Sequence, residues 1–320
     1  MKRISFLIPT YNEALNVIPL HDAIVEVLKP YADRYEYEML FIDNKSLDAT
    51  RDRLRELCAR DPDVRAIFNM KNFGQFNSPF HGLRQTTGDC TISMCADFQD
   101  PVEMIPKFLD AWEQGWKIVV GVKTSSHESG LMYFLRGIYY RFIRAFSDVE
   151  QIEHFTGFGL YDRSFVEILR TLDDPMPYMR GIVSELGPDR MEIPYRQARR
   201  RAGKTSNNLF RLYDAAMVGI TSYTKIGLRI ATFFGFLVSA ASLVLAFVYL
   251  VLKLAYWTRF SAGTAPILIG MLFLGSLQIF FIGFLGEYIL AINRRMLKRP
   301  LVIEEERLNF PDTPKPGGKD

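Results

Sequence analysis

Cysteine is scarce in this chain of 320 residues: Cys58, Cys90 and Cys95 are the three present, an odd number without zinc-site spacing. That excludes a disulfide framework and suits a reducing compartment. The four histidines are scattered, and the net charge of +3 is too small to argue for a nucleic-acid partner. The opening MKRISFLIPT has two basic residues but only a short apolar run broken by Pro9, so it reads as a strand and not as a signal peptide. Long charge-free apolar runs are missing from the first 228 residues. They then come twice, at Ile230–Leu252 and Phe260–Gly286, each longer than the roughly 20 residues that cross a bilayer as helix.

The composition therefore divides the chain into a polar catalytic-looking region and an apolar helical hairpin. Lys225 and Arg229 precede the first run, and Arg294, Arg295, Lys298 and Arg299 follow the second, which places both outer flanks on the cytoplasmic side. No charge interrupts the two runs before Glu287, so a transport pathway through them is not expected. Leu209–Tyr223 is amphipathic and suits the membrane interface, with Tyr213 and Tyr223 near the head groups. Pro311–Asp320 is polar and rich in Pro and Gly, a disordered tail.

In the polar region, short apolar strands at Ile4–Ile8, Tyr37–Ile42 and Val64–Phe68 each close on polar residues and are followed by helices. That alternation predicts a parallel α/β sheet with ligands at the carboxyl ends of its strands. Helices are expected over Asn16–Leu28, Thr50–Arg60, Ser78–Thr87 and Ile105–Gly115, with a further strand over Lys117–Val122.

The central stretch is Met94–Glu103, MCADFQDPVE. Asp97, Gln99 and Asp100 fall where a strand gives way to a loop. Oxygen ligands there suit a hard divalent cation holding a diphosphate, and an ordinary turn or helix cap is the other reading. Met132–Phe146 carries Arg136, Arg141 and Arg144 among aromatics and reads either as a basic helix facing a phosphate or membrane, or as a solvated face. Tyr195–Ser206, YRQARRRAGKTS, concentrates Arg196, Arg199, Arg200, Arg201 and Lys204 around Gly203. It reads either as a loop that closes over phosphates or as a basic patch beside an anionic surface.

Five segments in this order carry a resemblance: Pro9–Glu13 (PTYNE), Ile42–Thr50 (IDNKSLDAT), Asn72–Gln75 (NFGQ), Ala96–Pro101 (ADFQDP) and the Arg200–Thr205 loop. Together with the apolar hairpin they resemble glycosyltransferase family 2, more narrowly the polyprenyl-phosphate glycosyltransferases, over nearly the whole chain. The resemblance implies a GT-A (Rossmann-like) domain at 1–206, an amphipathic juxtamembrane helix at 207–228, transmembrane helices at 229–256 and 263–292, and a cytoplasmic tail at 293–320. It implies inverting transfer of a sugar from a nucleotide diphosphate sugar to a polyprenyl phosphate at the cytoplasmic face of a membrane, expected to be a bacterial inner membrane. No Gln-x-x-Arg-Trp motif occurs, which speaks against a processive synthase.

By position the resemblance places Pro9, Tyr11, Glu13, Asp43 and Gln75 around the nucleoside, and Asp97 and Gln99 on Mg2+ or Mn2+. Asp97, Asp100 and Arg200 are the catalytic candidates. Lys123 and Arg136 would meet the lipid phosphate, with Arg200 and Thr205 in the closing loop. The family's tendency to assemble implies a homo-oligomer.

The chain departs from the family pattern in three places. Cys95-Ala96-Asp97 stands for Asp-x-Asp. Gly157 and Gly159 stand where a carboxylate and an arginine are expected. Asn44 and Gln197 replace an Asp and an Arg. A catalytically silent binding protein acting as a membrane scaffold is the alternative these departures motivate. A phosphate monoester acceptor, already largely ionised at neutral pH, tolerates the missing carboxylate better than an alcohol would.

Overall fold

The computed structural model describes residues 1–125, 152–175, 177–187, 189–198, 200–201, 217, 226–255, 264–297 and 299–310. Arg136, Thr205, the basic segment at 132–146 and most of the segment at 207–228 lie outside them, as do residues 256–263 and 311–320.

The chain forms two compact units, one of residues 1–140, 149–208 and 297–320, the other of 141–148 and 209–296. Among the described residues the first is built on eight strands: β1 (Lys2–Thr10), β2 (Tyr35–Asp43), β3 (Val64–Asn69), β4 (Cys90–Ser93), β5 (Ile118–Ser125), β6 (Phe155–Asp162), β7 (Met191–Arg196) and β8 (Glu304–Leu308). Their order in the sheet is β7-β5-β6-β4-β1-β2-β3-β8. Strands β1 to β4 are parallel to one another, as their alternation with helices predicts. The sheet as a whole is mixed, because β6 runs antiparallel to both β4 and β5, and β8 antiparallel to β3.

The helices are α1 (Val17–Leu28), α2 (Thr50–Arg60), α3 (Gly74–Leu83), α4 (Ile105–Glu113), α5 (Arg163–Thr171) and α6 (Met179–Leu186). Helix α3 starts four residues before the expected Ser78, so Pro79 lies inside it and offers no N–H to the carbonyl one turn earlier. Apolar residues on both faces of the central strands explain their near-continuous hydrophobic runs. Ile4, Phe6, Ile8 and Phe41 pack on one face with α1, α2 and α4, and Leu7, Leu40 and Ile42 on the other with α3 and α5. Strand β8 lies in the segment expected as tail; it covers the edge of β3 and so protects a strand whose residues are almost all buried.

The second unit holds α7 (Ile226–Ala255) and α8 (Thr264–Met296), which meet at Phe234 and Phe281, ring centroids 6.2 Å apart. Among the described residues, Phe273–Leu290 of α8 is the one stretch long and apolar enough to cross a membrane; the corresponding part of α7, Thr232–Ser242, is shorter.

Candidate active site

At the carboxyl ends of β1 and β2, two loops are laced together. Asn12 takes a left-handed backbone (φ 59°), which lets its N–H reach Ser46 Oγ (2.8 Å) while its side-chain oxygen accepts from Leu47 N (2.7 Å). Glu13 N donates to Thr50 Oγ1 at 2.8 Å and Ala14 N to Asp48 Oδ2 at 3.2 Å. The PTYNE and IDNKSLDAT segments are thus one wall, with Pro9, Tyr11 and Glu13 partly exposed along it and Gln75 exposed at the start of α3.

Asp43 is fully buried in this wall. Its Oδ2 accepts from Arg51 Nε (2.7 Å) and Ser46 N (3.1 Å), and Ser46 Oγ donates to Oδ1. Asn44 joins the NFGQ segment to the same wall. Its Nδ2 donates to Asn72 Oδ1 and to Gly74 O, both at 3.0 Å, and its Oδ1 accepts from Phe73 N (2.8 Å) and Asn69 Nδ2 (3.3 Å). All four valences of the amide are used, and an aspartate could not donate the first two. The departure at Asn44 therefore has a structural reason.

The second half of the site is the turn after β4. Asp97, 4% exposed, accepts from Gln99 N on Oδ1 (3.1 Å) and pairs through Oδ2 with Arg200 Nη2 at 2.8 Å. Arg201 N donates to Asp97 O (3.3 Å), and its guanidinium lies 5.1 Å from the centre of the Phe98 ring, Phe98 itself being left-handed at φ 63°. Asp100 is buried under the turn, accepting from Cys95 N (2.9 Å) and from the Tyr195 hydroxyl (3.0 Å). Burial pushes its carboxyl pKa up, against the opposing pull of those bonds and of the Lys123 charge. Lys123 stands on β5 directly beside Tyr195 in the parallel register with β7. Glu13 joins the two halves: burial raises its pKa, and the charges of both Asp97 and Arg200 act on it.

These contacts bring together Glu13, Asp97, Asp100, Lys123 and Arg200 from segments far apart in sequence. Two residues that pattern reading passed over, Arg51 and Tyr195, hold the buried carboxylates of Asp43 and Asp100. The signal for Tyr195 was its place at the head of the basic segment; Arg51 looks like any exposed helix arginine.

The two glycine departures are built into the backbone. Gly157 has φ +102°, which side chains rarely adopt, and a Cβ at Gly159 would lie 2.5 Å from Val119 O. A carboxylate and an arginine at these positions would each require a different β6.

Among the described residues no three His, Cys, Asp or Glu side chains gather closely enough to hold a metal alone. The hard donors at the β4 turn, the Asp97 carboxylate and the Gln99 amide, fit a cation that takes its remaining oxygens from a diphosphate and water, and do not fit a closed protein cage. The Cys95 thiol, next but one in sequence, is too soft to replace a carboxylate on such an ion.

The family described as Glycosyl transferase family 2 matches residues 5–169. The bactoprenol glucosyl transferase of Shigella phage SfX is 31% identical over 95% of this chain and 99% of its own. A prophage bactoprenol glucosyl transferase homolog of Escherichia coli K12 is 32% identical over 94% of this chain and 98% of its own. Among solved structures, glucosyl-3-phosphoglycerate synthase from Mycobacterium tuberculosis in complex with UDP aligns with a TM-score of 0.46 at 15% identity, covering 69% of this chain and 78% of that one. With the family matched from β1 through β6, and relatives matched along almost the entire length, the chain belongs to glycosyltransferase family 2.

Proposed function

We propose that the protein transfers a hexose, glucose by the names of its relatives, from a nucleotide diphosphate sugar to a polyprenyl phosphate at the cytoplasmic face of a membrane, with inversion at the anomeric carbon. The observation that carries this reading is the Asp97–Arg200 pair beside Glu13. A carboxylate and a guanidinium that satisfy one another without substrate can exchange partners when a diphosphate arrives: Arg200 turns to the phosphate oxygens, and Asp97 becomes free for a cation.

Asp97 and Gln99 would hold Mg2+ or Mn2+, which when bound neutralises charge on the departing diphosphate. Arg200 contributes to the same neutralisation from the basic segment, and the lacing of PTYNE to IDNKSLDAT fixes the wall against which the nucleoside rests. The acceptor oxygen forms its bond to the anomeric carbon as the bond to the nucleotide diphosphate breaks on the opposite face. That oxygen belongs to a phosphate already carrying roughly −1.5 to −2 charge at neutral pH, so the reaction needs no carboxylate at Gly157. Lys123, which already acts on Asp100 from β5, supplies positive charge for the acceptor phosphate.

The apolar unit supports the lipid acceptor. Phe233, Phe236 and Ile279 are at least 73% exposed, as suits side chains whose surroundings are lipid. Helix α7, at about 45 Å for its 30 residues, is long enough to span beside α8.

The test is incubation of the detergent-purified protein with undecaprenyl phosphate, Mg2+ or Mn2+, and a panel of nucleotide sugars, followed by mass spectrometry of the lipid. One added hexose, abolished by EDTA, is the expected result. No product with any donor, while a nucleotide sugar still raises the melting temperature, would identify a silent binding protein instead.

A further inference from the structure

Strand β8 reads EEERL, and each of its three glutamates meets a basic partner. Glu304 accepts from His81 Nε2 at 2.6 Å, Glu306 pairs with Arg55 Nη2 at 2.8 Å, and Glu305 pairs with both Lys45 Nζ and Arg51 Nη1 at 2.8 Å. The pairing with β3 slips at this point: Phe68 faces Glu306 and Asn69 faces Glu304, so Glu305 is the extra residue of a bulge. Bulges re-aim side chains and often lie next to active sites.

What Glu305 reaches sets it apart from its neighbours. The Arg51 guanidinium is divided three ways, with Nε on Asp43, Nη1 on Glu305 and Nη2 on Asn69 O at 2.6 Å, and its flat face lies over Phe68. Arg51 is therefore fixed from β2, β3 and β8 at once. Lys45 sits in the loop after Asp43 with a left-handed backbone at φ 64°, next to Ser46, which bonds both Asp43 and Asn12. One glutamate thus pins both cations flanking the buried carboxylate of the nucleoside wall. Glu306 and Arg55 make an equally short ion pair on the same strand; Arg55 shares the Phe68 ring with Arg51, but its bonds go to Glu306 and Asp52 and not to Asp43.

We infer that Glu305 is a positioning residue for the nucleotide: through Arg51 and Lys45 it holds Asp43 and the 43–48 loop in the shape that receives the nucleoside. The inference rests on the proposed function, since it presumes that this wall binds a nucleoside diphosphate. It makes the strand that follows the apolar helices part of the donor site, without any contact of its own to the donor.

The experiment is calorimetric titration of the full-length protein in detergent with UDP, GDP, CDP and dTDP, each with Mg2+, for the unaltered chain and for Glu305→Gln and Glu306→Gln. Glu305→Gln should weaken the tightest-bound nucleoside diphosphate about tenfold, while Glu306→Gln leaves it within about twofold. In the transfer assay Glu305→Gln should raise the donor KM by a similar factor and leave kcat within about twofold. Equal weakening by the two substitutions would reduce β8 to a structural strap and overturn the inference, as would unaltered affinity in Glu305→Gln. If Glu305→Gln does not fold, Glu305→Asp takes its place, with a shorter reach to the same two cations. If the unaltered chain binds none of the four nucleotides, the reading of the wall itself falls; if it binds one that Glu305→Gln binds equally well, only the inference does.

Discussion

The two halves of the site are held in different ways. The wall at the ends of β1 and β2 is closed by hydrogen bonds between its two loops and by the buried Asp43–Arg51 ion pair, contacts that a bound diphosphate would leave in place. The turn after β4 is held by Tyr195 and Arg200 from the segment after β5 and β6, and its main ion pair, Asp97 with Arg200, is the one that the proposed function has exchanged for a diphosphate. A binding wall benefits from rigidity, whereas a reacting centre must give up its resting contacts as charge moves.

The largest expected effect lies on the second half. Asp97→Ala should lower turnover about 100-fold or more while the melting temperature changes little, read by formation of the lipid-linked sugar. Full activity in that variant would place the chemistry elsewhere. The converse variant, Asn44→Asp, loses two donors and sets a carboxylate against Asn72 Oδ1 and Gly74 O, so it should destabilise the fold by about 2–3 kcal/mol in thermal or chemical unfolding. Its donor KM should rise more than its kcat falls, the opposite pattern to Asp97→Ala. Tyr195→Phe removes the hydroxyl bond to buried Asp100 and should lose about 1–2 kcal/mol, with kcat lowered because the same strand leads into Arg200.

The smallest effect belongs to neither half. Bonds from His81 and Arg307 hold the Glu304 carboxyl down at about 2 in spite of its burial. The folded value lies below the ordinary one, so this stabilisation is complete above about pH 4.5 and disappears as pH falls through about 2. After allowance for solvent screening it amounts to about 1 kcal/mol. Glu304→Gln should therefore lower the melting temperature at pH 7 and narrow its difference from the unaltered chain at pH 2.

The difference between the halves also governs what pattern reading reaches. The wall and the β4 turn were legible because each lies within a few residues of a strand end, where apolar run, polar stop and helix start follow one another. The partner of Asp97 was legible only as a concentration of arginines, since nothing local says which of them meets a carboxylate about 100 residues earlier. Strand β8 was not legible at all: three consecutive glutamates have poor strand propensity, and what makes them a strand is the exposed edge of β3 and four basic side chains from α2, α3 and the 43–48 loop. Asn44 could be recognised as a departure, but not as a requirement, because the acceptors it serves lie in another loop. Registration of β6 through Gly159 was likewise invisible, since the obstacle is a carbonyl on β5.

The placement of β8 also governs how the protein can be dissected. The polar unit resumes after α8, so the apolar helices are an insertion within it rather than an appendage at its end. A chain stopped after Met296 would leave the N–H and C=O groups of VRAIFN uncovered, a template for strand addition between molecules. A water-soluble version should be sought by excising 209–296 and splicing the flanks, so that the final strand still closes the sheet.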